Sequence, residues 1–513
     1  MRILVVQIGD IGDLVESTPA LAALREAFPV AFIAVMTNEH AVPVLEGTGL
    51  VDEVIPFTRV AYNNSRSMLL RENRERILGL RRRHFDTVII LHHLTLRWGA
   101  LKFAAIAYLT RAKRRVGLDN GRGWFLTDTI TDYGFGAKHQ AQYWLDVVGL
   151  LGANPMPRPG VVATKPYTLP DAPLRVVIHA GSGGFSTARR WSPERFAHIA
   201  DRIAKRLNAQ IVLVGGEQDD GGQVAASMKM PHVNLLGKTS VPELASVIQQ
   251  STLFIGADSG VMHIAAAVGT PVVAIFGPTN ENAWGPWSPQ GQTAIVRTAP
   301  VCAPCAYVNH EVGLRDGCEA RTCMSMVSER QVLEAVAALL KGETPPAPPA
   351  HHAPERTTRR LQILGLSVDA LTFDDLLERI SGWMNESGAH QVCTINPEFI
   401  MVAQQDYHFR LVLQRADLCV PDGVGLLLAA RLLRDKLPER VTGSDGVPLI
   451  AERAAREGWK LFLLGAAEGV AEKAASVLRQ RYPGLQIAGT YAGSPAAAEE
   501  DALVERVNAS GAD

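Results

Sequence analysis

Carboxylates in this 513-residue chain recur on glycine-rich turns where an apolar strand gives way to a helix. The first is Gly9-Asp10-Ile11-Gly12-Asp13, directly after the run Ile3–Gln7. Glycine lets the backbone approach a ligand closely. The start of the following helix offers unpaired N–H groups and the positive end of its dipole, which suit an anion. A carboxylate at Asp13 either caps that helix or takes a proton from a bound hydroxyl. The pattern returns at Gly256-Ala257-Asp258-Ser259-Gly260, with His263 one turn inside the next helix. A lone histidine is usually a satisfied buried one, but its place in a capped first turn points to a ligand. Between these, His179–Gly184, with Ser182 at its centre, can wrap a phosphate with backbone N–H groups. Arg189-Arg190-Trp191 follows, and guanidinium forks match diphosphate oxygens. Gly277-Pro278-Thr279 closes a further strand at the same edge.

A second series lies downstream: Thr394 and Asn396 after one strand, Asp422 after another, then Arg440 with Asp445, then Gly465. Polar turns gathered at strand ends are where α/β folds bind ligands. Four cysteines follow Cys302-x2-Cys305-x12-Cys318-x4-Cys323. That spacing suits a structural metal, zinc before iron–sulfur, or else thiols in a loop packed beside a cleft. Cys393 and Cys419 fall in strands and read as core. No Asp-x-Asp triplet occurs, so a metal-clamped diphosphate lacks its usual motif.

Strands alternating with helical periodicity place these turns in three α/β domains, at 1–165, 166–340 and 361–513. A proline-rich spacer at 341–360 joins the second to the third. Strands are predicted at Ile3–Gln7, Ala31–Met36, Thr87–Leu91, Val176–His179, Gln210–Val214, Leu253–Ile255 and Val272–Phe276. In the third domain they fall at Gln391–Thr394, Leu418–Val420 and Lys460–Leu464. Pro19 marks the first turns of a helix over Thr18–Ala27. After the helical stretch 496–509 the alternation calls for another strand, so the third domain reads as C-terminally incomplete.

Apolar residues make up 47% of the chain, enough for several buried cores, and the net charge is −1. That balance speaks against a nucleic-acid partner. One run is basic: Arg66, Arg71, Arg74, Arg76, Arg81, Arg82 and Arg83. It reads as a solvated helix face, or more sharply as a patch for anionic lipid headgroups or a polyanion. No apolar run has the length of a membrane span, since Val261–Phe276 is broken by His263, Gly269 and Pro271. The N-terminus shows no leader pattern. A cytoplasmic location without disulfides is expected, with peripheral contact at the inner face of the plasma membrane.

Ordered motifs over residues 1–340 resemble glycosyltransferase family 9, the ADP-heptose:lipopolysaccharide heptosyltransferases. They are Gly12-Asp13-Leu14-Val15 with Thr18-Pro19-Ala20-Leu21, Arg189-Arg190-Trp191, Asn234–Ser240, and Asp258–His263 through Phe276-Gly277-Pro278-Thr279. The resemblance implies a GT-B fold, two facing Rossmann-like domains with acceptor on the first and nucleotide sugar on the second. It implies Asp13 as general base, Arg189 near the donor phosphates, the Asp258–His263 loop on the nucleotide, and inversion without a metal. From about Leu361 onward the chain resembles glycosyltransferase family 26, the N-acetylmannosaminyltransferases of teichoic-acid and common-antigen assembly. That implies a third Rossmann-like domain with Asp422 as base, Thr394 and Asn396 on substrate, and Arg440 with Asp445 holding a UDP donor. The whole is then a fused, metal-independent inverting transferase with no cofactor required for catalysis and, at most, a structural zinc. Its donors are ADP-heptose-like and UDP-N-acetylmannosamine-like, and its acceptors are lipid-linked or lipopolysaccharide-type saccharides of the cell envelope. A nucleotide-sugar epimerase, or one module reduced to a binding or scaffold domain, is the competing expectation.

Overall fold

Runs rich in valine and isoleucine, apolar on both faces, suit parallel sheets covered by helices on each side. The computed structural model describes the chain except residues 60–66, 68–69, 184–185, 290, 301, 319, 352–357, 387 and 494–498. It forms two units, Met1–His351 and His352–Asp513.

The first unit contains two six-stranded sheets. One is built from β1 (Arg2–Gln7), β2 (Phe32–Asn38), β3 (Glu53–Phe57), β4 (Thr87–Ile90), β5 (Arg114–Asp119) and β6 (Asp128–Thr131), in the order β3-β2-β1-β4-β5-β6. The other uses β7 (Arg175–His179), β8 (Gln210–Leu213), β9 (His232–Asn234), β10 (Leu253–Ala257), β11 (Val272–Ile275) and β12 (Thr293–Val296), ordered β12-β11-β10-β7-β8-β9. Every pairing in both is parallel. Each sheet reverses its winding beside its first strand, between β1 and β4 and between β7 and β10. In doubly wound sheets that switch point is where ligands bind. A short hairpin, β13 (Ala306–Val308) and β14 (Glu311–Gly313), follows the second sheet.

The helix after β1 spans Ile11–Ala27, seven residues longer at its start than the Thr18 expectation. Pro19 lies inside it and cannot donate an N–H to the Val15 carbonyl. The hydroxyl of Thr18 donates to that carbonyl instead, at 2.7 Å. The Thr18-Pro19 pair therefore carries its own repair, and the helix continues.

Past the helix Glu329–Lys341, residues 344–351 of the proline-rich stretch have no regular element, and His351 Nε2 lies 2.8 Å from Glu281. The basic run forms the helix Arg71–Leu80 and a 3-10 turn at Arg81–Arg83. Arg71 pairs with Glu75 at 2.8 Å and Arg76 with Glu72 at 3.7 Å. These i,i+4 pairs on an exposed face are what a solvated helix shows; Arg66 lies outside the described residues.

The second unit keeps the alternating order but not one continuous sheet. β15 (Arg360–Ile363) and β16 (Leu366–Asp369) form an antiparallel hairpin. β17 (Val392–Ile395) pairs with β18 (Leu418–Pro421), and β19 (Lys460–Leu464) with β20 (Gln486–Tyr491), both parallel. Between β16 and β18 a side chain replaces backbone pairing: the buried Asp369 carboxylate accepts the Cys419 N–H at 2.7 Å. Among the described residues no helix is long and apolar enough to cross a membrane.

Candidate active site

A cleft of about 580 Å³ opens between the two sheets of the first unit. It is lined by the turns after β1 and β4 on one side and after β7 and β10 on the other, the two switch points.

Asp13 reaches this cleft from the first turn of the Ile11–Ala27 helix. One of its oxygens accepts the Asp10 N–H at 2.7 Å, so it does cap the helix. A methyl group at Gly9 would stand 2.5 Å from the Asp13 carboxyl, which explains glycine at that position. Burial pushes the Asp13 pKa up to about 6, and the nearby Asp10 charge adds to the rise; the Asp10 N–H, Arg59 and Arg189 pull it back. A carboxylate poised near neutrality suits a general base better than an ordinary one. Asp10 is itself paired to Arg59 at 2.9 Å.

The facing wall carries the donor candidates. Arg189 lies 3.2 Å from the Asp258 carboxylate and donates to the Ser182 carbonyl at 2.8 Å. The Thr279 hydroxyl donates to Asp258 at 2.6 Å. Ser259 caps the Gly260–Ala267 helix, and its hydroxyl lies 3.1 Å from His179 Nδ1. Ser182, Arg189, Asp258, Ser259, Gly260 and His263 all line the cleft.

Three expected donor residues stand behind the cleft lining and not in it. Arg190 stands directly behind the cleft wall: its Nε donates to the hydroxyl of the cleft-lining Ser182 at 3.2 Å, and it pairs with Asp220 at 2.7 Å and the cleft-lining Asp219 at 3.6 Å, carboxylates some thirty residues along the chain that local spacing did not reveal. Gly277 is a packing glycine, since a Cβ there would stand 2.2 Å from Met324 Sδ. Thr279 is buried and serves Asp258 rather than the cleft surface.

The site also holds groups that sequence reasoning missed. Glu16, on the same helix as Asp13, is buried, and neither of its oxygens has a hydrogen-bond partner among the described residues. It sits 3.4 Å from His263 Nδ1 and 3.7 Å from His139 Nε2. Burial drives its pKa well above the carboxylate range, and the charges of Asp13 and Asp258 raise it further. Burial likewise lowers His263 to about 4. Both shifts disfavour the charged forms, so burial works against an ion pair at this contact. His92 accepts the Ile8 N–H at 2.8 Å, and His93 Nδ1 lies 2.9 Å from Asp132. Both follow β4 and line the cleft, so the strand-end rule that found Asp13 would have found them. Tyr307 enters from the β13–β14 hairpin, with no local signal in the sequence.

In the second unit, Asp422 follows β18 and accepts the Gly443 N–H at 3.2 Å. A Cβ at Gly443 would lie 3.4 Å from the Thr394 methyl and 4.0 Å from the Asp422 carboxyl, so the three turns meet. Asn396 spends its side-chain oxygen on the Phe399 N–H at 2.8 Å as a helix cap. Asp445 accepts from the Thr442 hydroxyl at 2.7 Å and lies 3.6 Å from Arg440. Gly465, at φ +100°, ends β19 in the other parallel ladder.

Cys302, Cys305, Cys318 and Cys323 line one small pocket beside the Ala188 turn. None forms a disulfide. Burial raises the Cys323 thiol well above its usual range, and the other three cysteines add to the rise. Among the described residues no three His, Cys, Asp or Glu side chains are arranged to hold a metal ion, so the zinc expectation drawn from spacing finds no matching geometry.

Residues 76–311 match the family profile "Glycosyltransferase family 9 (heptosyltransferase)" and residues 361–513 match "Glycosyl transferase WecG/TagA/CpsF family". Lipopolysaccharide heptosyltransferase 3 of Escherichia coli is 26% identical over 293 residues, 54% of this chain and 84% of that protein. The N-acetylglucosaminyldiphosphoundecaprenol N-acetyl-beta-D-mannosaminyltransferase of Bacillus subtilis (strain 168) is 29% identical over 118 residues, 23% of this chain. The chain spans 45% of that enzyme's length. The solved family 9 glycosyltransferase of Veillonella parvula DSM 2008 superposes with a TM-score of 0.53 at 25% identity, covering 67% of this chain and 97% of its own.

Proposed function

We propose that this glycosyltransferase, whose first unit matches the family 9 profile and whose second matches the WecG/TagA/CpsF profile, transfers a different sugar with each unit in cell-envelope polysaccharide assembly. The first unit takes an ADP-heptose-like donor and a lipopolysaccharide-type acceptor. The second takes a UDP-N-acetylmannosamine-like donor and a lipid-linked saccharide. The observation that carries the first half is that Asp13 and the Arg189–Asp258 pair line one cleft from opposite sheets. Neither family match supports the competing epimerase reading.

In this reading Asp13 accepts the proton of the acceptor hydroxyl as that oxygen attacks the anomeric carbon. The bond from that carbon to the diphosphate breaks on the opposite face, and the configuration inverts. Negative charge growing on the leaving diphosphate meets Arg189 and the N–H groups that open the Gly260–Ala267 helix. With those groups supplying positive charge, the reading requires no metal or cofactor. Asp258 orients Arg189, and Thr279 orients Asp258. In the second unit Asp422 takes the part of base, beside Thr394. Because the acceptors are lipid-anchored, the protein works peripherally at the inner face of a membrane.

The full chain incubated with ADP-heptose and heptose-deficient lipopolysaccharide should release ADP and extend the acceptor. Asp13→Ala should abolish this and Asp422→Ala should leave it intact. Undiminished transfer in Asp13→Ala would remove Asp13 as base.

A further inference from the structure

The helix Arg97–Leu109 buries Ala100, Phe103, Ala104, Ile106 and Ala107 against the first sheet. Its other face is left uncovered. Trp98 is 77% exposed, Leu101 46% and Tyr108 50%, and with exposed Ala105 they fall on one stripe. At its far end Trp124, 62% exposed, brings its ring within 6.2 Å of Tyr108. Single exposed apolar residues are ordinary, but a continuous aromatic stripe marks an interaction site.

The charge around the stripe identifies its partner. From Thr87 to Leu118 the chain has six lysines and arginines and no carboxylate. Arg97, Arg111 and Lys113 are exposed, while Arg115 lies over the Tyr108 ring at 5.0 Å. Tryptophan and tyrosine favour the boundary between water and hydrocarbon, where one part of the ring stays wet. Cations beside them gain from an anionic headgroup layer. Near the stripe Arg114 pairs with Asp128 at 2.6 Å and Lys102 is half-buried, which leaves Arg97, Arg111 and Lys113 as its outward cations; the basic run at Arg71–Arg83 has no such aromatic face, and Arg71, Arg76 and Arg83 pair with Glu75, Glu72 and Glu53. The stripe also has a useful address. His92, His93 and Thr95 line the cleft, and the helix begins two residues later.

We propose that this aromatic, cation-flanked face docks the first unit on an anionic bilayer surface and so presents the cleft to a lipid-anchored acceptor. The inference rests on the reading of the acceptor given above. Its test is co-sedimentation of the full chain with vesicles of phosphatidylcholine plus phosphatidylglycerol against phosphatidylcholine alone. Binding is expected to the anionic vesicles and to weaken with added salt. Trp98→Ser with Trp124→Ser should weaken it about tenfold or more, each ring losing its apolar transfer. Arg111→Glu with Lys113→Glu should weaken it roughly tenfold or more as well. Arg81→Glu with Arg82→Glu should change it little. Both docking variants should keep full transfer to a soluble acceptor saccharide and lose transfer to the same saccharide on a vesicle-embedded lipid. Vesicle binding that is equal in all variants, or lost only in the Arg81/Arg82 variant, overturns the proposal. So does self-association removed by the tryptophan changes without any vesicle binding, which would make the face a contact between copies. If the unaltered chain transfers no sugar yet binds vesicles through this face, the proposed reaction falls and the docking stands.

Discussion

Each unit sets an aspartate on the glycine turn between a strand and a helix, but Asp13 and Asp422 stand in unlike surroundings. Asp13 faces a cleft walled by two six-stranded sheets, and the helix that carries it is buried along most of its length. Asp422 follows a two-stranded ladder, and the helix beyond it, Val424–Leu432, leaves Val424, Leu428 and Leu432 exposed at 57%, 51% and 86%. The same local grammar thus yields an enclosed site and an open one. Enclosure raises the proton affinity of Asp13 and leaves Glu16 without hydrogen-bond partners among the described residues; turn chemistry alone does neither.

The contrast can be broken most directly at the two aspartates. Asp13→Ala should lower kcat/KM for the ADP-sugar reaction by roughly a hundred- to ten-thousand-fold, the usual range for a lost general base. The UDP-sugar reaction should be untouched, with Asp422→Ala giving the reverse; product chromatography with both donors reads both. Next is Arg189→Ala, which removes the cation facing the donor and leaves Asp258 buried without its ion pair. The ADP-sugar reaction should fall about a hundredfold, with partial recovery in Arg189→Lys, measured by initial rates.

A pH series sharpens the comparison further. Because Asp13 as the proposed base must be deprotonated, kcat/KM of the first unit should fall below a pH of about 6, tenfold per unit. The linkage to stability has a definite sign. A folded-state pKa above the unfolded value means the folded form binds the proton more tightly, so ionised Asp13 opposes folding above about pH 6. Asp13→Asn should therefore raise the melting temperature at pH 8 by a few degrees and much less at pH 4, by calorimetry of the full chain. The smallest effect is expected at Glu16. Burial already disfavours the charged form of Glu16, so Glu16→Gln, which keeps its shape, should move the melting temperature by about a degree or less. Glu16→Lys, which puts a charge beside His263 and His139, should lower it by several degrees.

The strand–turn–helix grammar was readable because it is local. The glycines and the run of apolar residues lie within a dozen positions of Asp13 and of Asp258, and the structure puts both turns on one cleft. The Ile11–Ala27 helix was misjudged at its start because proline usually marks a first turn. Thr18 supplies the hydrogen bond that Pro19 cannot, so the usual inference fails. Arg190 is held one layer behind the cleft by Asp219 and Asp220, thirty residues away, which local spacing does not reveal. Glu16 was invisible for a related reason. A carboxylate on a helix reads as solvent-facing until packing between two sheets buries it.

The two helices that carry the opposed halves of the site meet at glycines. A Cβ on Gly12 would stand 2.9 Å from the His263 ring and 3.3 Å from the Gly260 Cα, and one on Gly260 would stand 3.2 Å from the Gly12 nitrogen. Backbone there rests almost on backbone, with nothing compressible in between. Such a contact behaves as a fixed spacer. The spacing between the turn that carries Asp13 and the turn that carries Asp258 is therefore set by van der Waals contact of main chain on main chain and not by the rotamer of a bridging side chain. Any side chain at either glycine would push the two turns apart, so the register of the site is written into two residues that carry none.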